Sequence, residues 1–260
     1  MSEREQRGIQ SIEVGGRLLL ALAHEGRPMP LKALAQAAGM APPKAHPYLV
    51  SFGKLGLIAQ DEASGHYGLG PLAMQLGLIS LQQSDPVRLA TAQLPALAQA
   101  VGQTVGIAVW GSRGATIVRT EQGPLPVHVN MRHGTVMTLR GTASGKLFAA
   151  WLPHAQILAS DPQAVFDAAF ERELAAVRAA GLAQAVDAAI PGVAALAAPV
   201  FDAAGHLVLS LTAIGPAASF DTRSDGAPAC ALMDCAAALS RQLGAIDRSL
   251  RPEPSAAAAA

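Results

Sequence analysis

The apolar positions of this chain change rhythm near residue 82. Before that point most of them recur at helical spacing. Leu18, Leu19 and Leu22 line the inner side of a helix over residues 12–24, with Ser11 placed as its N-cap. Gly15-Gly16 inside that helix costs roughly 1 kcal/mol per glycine relative to alanine, which close approach of another helix would explain. Glu25-Gly26-Arg27-Pro28 ends it. Leu31, Leu34, Ala35 and Ala38 then share one helix face, and Gly39 follows where a helix end needs positive φ. Met40 plugs the angle, and Ala41-Pro42-Pro43 starts another helix, since proline fits the first turn. The spacing of Ala35, Gly39 and Ala45 is that of a helix-turn-helix, although an ordinary αα-hairpin gives the same pattern. Short extended runs at 56–60 and 66–69 flank the turn residues Asp61-Glu62-Ala63-Ser64-Gly65, so a β-hairpin completes a winged unit.

The second half reads differently. Residues 72–81 are apolar nearly all round and suit a helix buried between domains or subunits. Asp85-Pro86 restarts a helix that runs to about Val101. Strands follow at 105–110, 115–120 and 127–131, then helices at 142–151 and 162–180, the latter capped by Asp161 and Gly181. Residues 193–201 and 206–214 bracket a turn at 202–205 as a hairpin, and a last helix covers about 228–243. Strands joined largely by hairpins and interleaved with helices predict an α+β domain with an antiparallel sheet. The expected division is a winged helix-turn-helix at 1–71, a linker helix at 72–84, an α+β domain at 85–248 and a low-complexity, disordered tail at 249–260.

Composition adds limits. The chain of 260 residues is 51% hydrophobic and 15% charged, enough to bury good cores and far from the profile of global disorder. No uninterrupted apolar run reaches the roughly 18 residues of a membrane helix, and the charged start Ser2-Glu3-Arg4-Glu5-Gln6-Arg7 lacks a signal core. A cytoplasmic protein without a membrane partner is the expectation. Cys230 and Cys235 suit buried core thiols rather than a disulfide framework. Formal net charge is zero, and the first 75 residues hold seven bases against six acids, so any phosphate-binding surface has few cations.

Candidate chemistry narrows quickly. Gly141-Thr142-Ala143-Ser144-Gly145-Lys146 has one residue too few between its glycines for a phosphate loop, and Leu147 follows the lysine. Ser51-Phe52-Gly53-Lys54 matches S-x-x-K by chance, without its companion motifs. His128 and His133 lack acidic or cysteine partners for zinc. Asp167, Glu171 and Glu173 read as a solvated helix face shared with Arg172 and Arg178. No metal, cofactor or catalytic residue is expected, and an enzyme has no motif behind it.

A winged unit lays its second helix in the major groove of duplex DNA with the hairpin near the phosphates. The order of parts, from GLIAQDEASGHYGLGP (56–71) through TLRGTASGKLFAAWLP (138–153) and GLAQAVDAAIPG (181–192) to the closing amphipathic helix, resembles the IclR family of bacterial transcription regulators over residues 9–244. The resemblance implies homodimers or tetramers, here through residues 12–24 and 72–81, that bind double-stranded DNA. It also implies a GAF-like C-terminal domain for a small organic effector. By this likeness the DNA-binding positions are Lys32, Pro43, Lys44, His46, Tyr48, Ser51 and Lys54, with Ser64 and His66 on the wing. The chain departs from the family at His46-Pro47, where arginine usually follows histidine. A proline inside a helix costs about 3 kcal/mol, so the helix is expected to kink or to begin near Pro47. A module that binds ligand or dimerises but has lost DNA reading is the alternative. The implied effector wall is Ala143, Ser144, Ala185, Val193, Ala195, Thr212 and Ile214, closed by Val129 and Met137. These are mostly small and apolar where the family often carries an acid, a cysteine and serines. A wall without fixed charge suits a neutral or aromatic ligand, or an anion held by backbone N–H groups at the helix beginning near Ser144.

Overall fold

The computed structural model describes residues 8–83, 85–125, 129 and 131–245. The chain divides into two compact units, the first ending at Ser84 and the second opening at Asp85.

In the first unit, α1 (Gln10–Glu25), α2 (Leu31–Ala37) and α3 (Pro42–Lys54) precede a hairpin of β1 (Ile58–Gln60) and β2 (Tyr67–Leu69). Leu18, Leu22, Leu34, Ala35, Ala45, Leu49 and Ile58 form its core. The bend between α2 and α3 falls at Gly39, whose φ of 66° is the positive value that the helix end requires. Gly15 is the close-approach glycine: a Cβ there would lie 2.7 Å from Tyr48 Cδ1, whereas nothing lies within 4 Å of one at Gly16. Two sequence expectations are corrected. Ile9 rather than Ser11 holds the N-cap position of α1, without a side-chain bond. Helix α3 neither begins at Pro47 nor stops there, but runs continuously from Pro42. Pro47 sits in its second turn on the exposed side, so the carbonyl it leaves unbonded is solvated rather than buried. Met29 adds a one-residue third segment to the wing, exchanging backbone bonds of 2.9 and 2.8 Å with Tyr67. The apolar α4 (Pro71–Gln83) begins against the hairpin, where Leu72 N–H donates to Gly56 O at 2.9 Å. Within the chain, Met74, Leu76, Leu78 and Ile79 of α4 are exposed.

The second unit is a five-stranded antiparallel sheet with helices on both faces. Its elements are α5 (Pro86–Val101), β3 (Thr104–Gly111), β4 (Gly114–Glu121), α6 (Ala143–Trp151), α7 (His154–Ser160), α8 (Ala168–Ala180), β5 (Ala183–Val186), β6 (Val193–Phe201), β7 (Leu207–Pro216) and α9 (Ala227–Gln242). The strand order is β4-β3-β7-β6-β5, with every pairing antiparallel. Helices α5 and α9 cover one face, and α6 and α8 cover the other. The Asp85 carboxylate accepts from Arg88 N–H and caps α5 as the sequence predicts. The expected strand at 127–131 falls largely outside the described residues, as does the expected tail at 249–260.

The expected helix over 162–180 is corrected. It starts only at Ala168, and Asp167 caps it by accepting from Phe170 N–H at 2.8 Å. Asp161 instead closes a turn after α7, accepting from Gln163 N–H. Helix α7 and the short edge strand β5 are absent from the sequence reading. The acids at the cap and first turns of α8 are solvent-exposed, as expected, and each has an ion-pair partner. Asp167 pairs with Arg140 and Glu171 with His154, while Glu173 pairs with Lys146, a lysine only 8% exposed. Lys146 Nζ also donates to Gln184 O at 3.1 Å, on the outer edge of the sheet.

Candidate functional site

Two surfaces gather the residues singled out by the sequence. The first is the outward side of α3. Burial of Ala45 and Leu49, with Tyr48 and Phe52 half-buried on the same side, turns Pro43, Lys44, His46, Pro47, Ser51 and Lys54 outward. Lys32 of α2 is exposed as well. Tyr48 does not join them, because its ring lies over Gly15 of α1. The Ser51 hydroxyl donates to Pro47 O at 2.9 Å, a bond one turn back within the helix.

On the wing, Ser64 is occupied locally. Its backbone N–H and hydroxyl both donate to Asp61 Oδ1 at 2.7 Å, and His66 is half-buried behind it. The Ser64 hydroxyl, followed by its N–H, holds the Asp61 carboxyl below its ordinary pKa. With Glu62 beside it, the hairpin tip is acidic. An acidic tip does not favour phosphate, and the exposed cations near it in the chain are the lysines of α2 and α3.

The second surface is the sheet face beneath α6. Register aligns Thr104, Ile214, Ala195 and Ala185 in one row across β3, β7, β6 and β5. The next row is Gly106, Thr212, Ala197 and Ala183. Paired residues point to the same face, so both rows floor the space under α6. That floor is low, with glycine, four alanines and two threonines among its eight positions.

Helix α6 starts over this floor. The Thr142 hydroxyl caps it by accepting from Gly145 N–H. Ser144 Oγ lies 2.6 Å from Thr212 Oγ1, and Ser210 Oγ lies 3.3 Å from the same atom, giving a buried chain of three hydroxyls. Ala143, Ala185, Ala195 and Ile214 belong to the apolar cluster on this side, and Val129, Met137 and Val193 pack against it. All nine effector positions implied by the resemblance thus converge on one layer. Met131 Cε lies over the floor, 3.0 Å from where a Cβ at Gly106 would stand. Methionine at that place can repack around different shapes.

No charged side chain stands in either row. Lys146 of α6 is turned to Gln184 O and Glu173, and Arg140 is held by Asp167. Sequence reasoning missed Thr104, Gly106, Ala183, Ala197 and Ser210. Strand alternation could have placed Thr104 and Gly106 together, but only the register brings them beside Thr212 and Ile214.

The opposite face holds an open groove of about 320 Å³ between α5 and α9, lined by Leu97, Leu239 and Cys235 among others. None of the expected effector residues lines it. Burial pushes the Cys235 thiol pKa up, away from reactivity. No described helix is long and apolar enough to cross a membrane.

Known proteins share this order of domains. Residues 11–62 match the family model for the IclR helix-turn-helix domain, and residues 79–241 match that for the bacterial transcriptional regulator IclR C-terminal domain. The glycerol operon regulatory protein of Streptomyces griseus is 34% identical over 92% of this chain and 98% of its own. The crystal structure of Pseudomonas aeruginosa HmgR superposes with a TM-score of 0.83 at 37% identity, covering 91% of this chain and 99% of that one. The Agobacterium tumefaciens repressor BlcR shares the fold at 20% identity, with a TM-score of 0.72 over 93% of this chain and all of its own. With an N-terminal helix-turn-helix, a C-terminal effector domain and family matches spanning both, this chain belongs to the IclR family of ligand-responsive bacterial transcription regulators.

Proposed function

We propose that the outward side of α3 reads operator DNA and that the floor beneath α6 takes the effector that tunes this binding. The carrying observation is the convergence of Ser144, Thr212, Ile214, Ala195 and Ala185, which lie far apart in sequence, on one uncharged layer at the start of a helix. In the first turn of α6 the Gly145 N–H is taken by the Thr142 cap, while those of Ala143 and Ser144 have no intrahelical partners, so an oxygen acceptor or anion is favoured there. Lys44, Lys54 and Lys32 supply the phosphate contacts, with His46 and Pro43 facing the groove. The active species is a homodimer or tetramer, which pools the few cations of each protomer. The exposed apolar residues of α4 support this assembly. The unbroken α3 leaves the alternative of lost DNA reading without support.

Fluorescence anisotropy on duplexes from the DNA flanking the protein's own gene tests this reading. Binding is expected to weaken with salt, and Lys44→Ala to reduce the logarithmic salt slope by about 1 at each engaged α3. Glycerol is the first effector to add, because a relative carries it in its name. Absence of binding at low salt, with and without candidate effectors, would overturn the proposal.

A further inference from the structure

Helix α3 carries no Asp, Glu, Asn or Gln, so it lacks the side chains that usually accept hydrogen bonds from base edges. Its backbone supplies an acceptor instead. The helical ladder is in place from the first turn, where Ala45 N–H donates to Ala41 O at 3.1 Å. Two residues on it is interrupted, because the donor for Pro43 O would come from Pro47, which has no N–H. Pro43 and Pro47 are both exposed, so this carbonyl keeps its lone pairs on the outward side of the helix. Neither proline has a long side chain to hold the backbone away from a neighbouring molecule. Ser51, two turns further along, gives its hydroxyl proton to Pro47 O at 2.9 Å and is left with lone pairs of its own.

Resting on the assignment of the outward side of α3 to operator DNA, we propose that the Pro43 carbonyl, freed by Pro47, is a specificity-determining acceptor that reads an exocyclic amino group, cytosine N4 or adenine N6, in the major groove. N-terminal residues of a recognition helix contact base edges, and Pro43 is the second residue of α3. Cytosine and adenine present an amino donor in the major groove, whereas guanine O6 and thymine O4 present acceptors there. Against either of the latter the carbonyl meets another lone pair, and the bond is lost. Pro47 is a positioning residue, acting through the carbonyl that it leaves open. The His46 ring and the Ser51 hydroxyl are the other outward groups with lone pairs. Neither needs a missing N–H at position 47, so Pro47→Ala closes the carbonyl and leaves both in place.

Fluorescence anisotropy with the full chain and a duplex from the DNA flanking its own gene tests this atom by atom. In one half-site each adenine is replaced in turn by purine, which lacks the N6 amino group, and each cytosine by 2-pyrimidinone, which lacks N4. The wild type should lose about fivefold in affinity at one of these positions. Pro47→Ala should bind the unmodified duplex about fivefold less tightly and show no further loss at that position. It should keep the salt slope of the wild type, since no phosphate contact is touched. Its thermal midpoint should not fall, because the helix gains a bond, so a lost preference is not a lost fold. Pro47→Gly also restores the N–H and should show the same loss of preference. If the amino deletion costs the wild type and Pro47→Ala alike, or costs the wild type nothing at any position, the inference fails and the DNA reading stands. If Pro47→Ala instead becomes indifferent to uracil in place of thymine, the proline ring reads a methyl group and the inference again fails alone. If the wild type binds no duplex from this region at low salt, both fail.

Discussion

The two faces of the five-stranded sheet are built from the same strands and differ in what they leave room for. The face toward α5 and α9 presents Val105, Ile107, Leu196, Val200, Leu209 and Leu211, all buried and interlocked with Leu94, Leu97, Leu232 and Leu239. The face toward α6 presents Gly106, Ala108, Ala183, Ala185, Ala195, Ala197, Ser210 and Thr212. Alternate residues of one strand thus serve opposite ends. The large aliphatic side chains hold the domain together, since burying each contributes about 1.5–3 kcal/mol. The small and hydroxylated ones give up some of that stabilisation and place hydrogen-bonding groups under a helix start. The period-2 alternation of β-strands thus gives the two faces different side chains, large and aliphatic on one and mostly small on the other.

The sharpest way to break this contrast is to hollow out the packed face. Ile107→Ala should cost about 2–5 kcal/mol in denaturant unfolding of the second domain, with little change in effector affinity of the folded fraction. A loss of effector affinity matching the loss of stability would mean that the two faces are not independent. Filling the other face should do the reverse. Ala197→Leu overpacks the floor and is expected to cost about 1–3 kcal/mol, less than the cavity, while abolishing the effector response in the DNA-binding assay. An unaltered response would remove the floor from the binding site.

The smallest expected effect concerns the rim of the α6 layer. Arg140, with Phe170 N–H second, holds the Asp167 carboxyl at about pKa 2, well below its usual 3.8. A lowered folded-state pKa stabilises above the ordinary value, and that contribution disappears as pH falls from about 4 through 2. The thermal midpoint should therefore decline over this acid window, and Arg140→Gln should flatten that part of the profile. An identical acid limb in both proteins would show that the pair is solvated away. The groups are half-exposed, so the difference should be modest.

What could be read in advance had local causes. Gly39 needs positive φ, Asp85 caps the helix that follows it, and Gly181 ends α8. Each is a decision made within one or two turns of chain. Asp161 and Asp167 show where local reasoning fails. Either can cap a helix, and the choice went to Asp167. Arg140, 27 residues away, grips it, while Phe166 stacks on His154 at 3.8 Å and residues 161–167 stay non-helical. Lys146 escaped notice for the same reason, since nothing near it in sequence reveals that the edge carbonyl of Gln184 and the carboxylate of Glu173 will surround it.

By itself, then, the amino-acid order determined the two-domain plan, the helix-turn-helix bend, most of the helix and strand identities and the family, because these follow from periodicity, caps and turn chemistry acting over a few residues. Only the tertiary structure decided which side of each strand meets α6, that Tyr48 packs on Gly15 rather than facing outward, and that Thr104 joins Ile214, Ala195 and Ala185 in one row. Strand register and helix docking are settled by contacts between residues far apart in the chain, and a shift of one residue would have moved every one of those side chains to the other face.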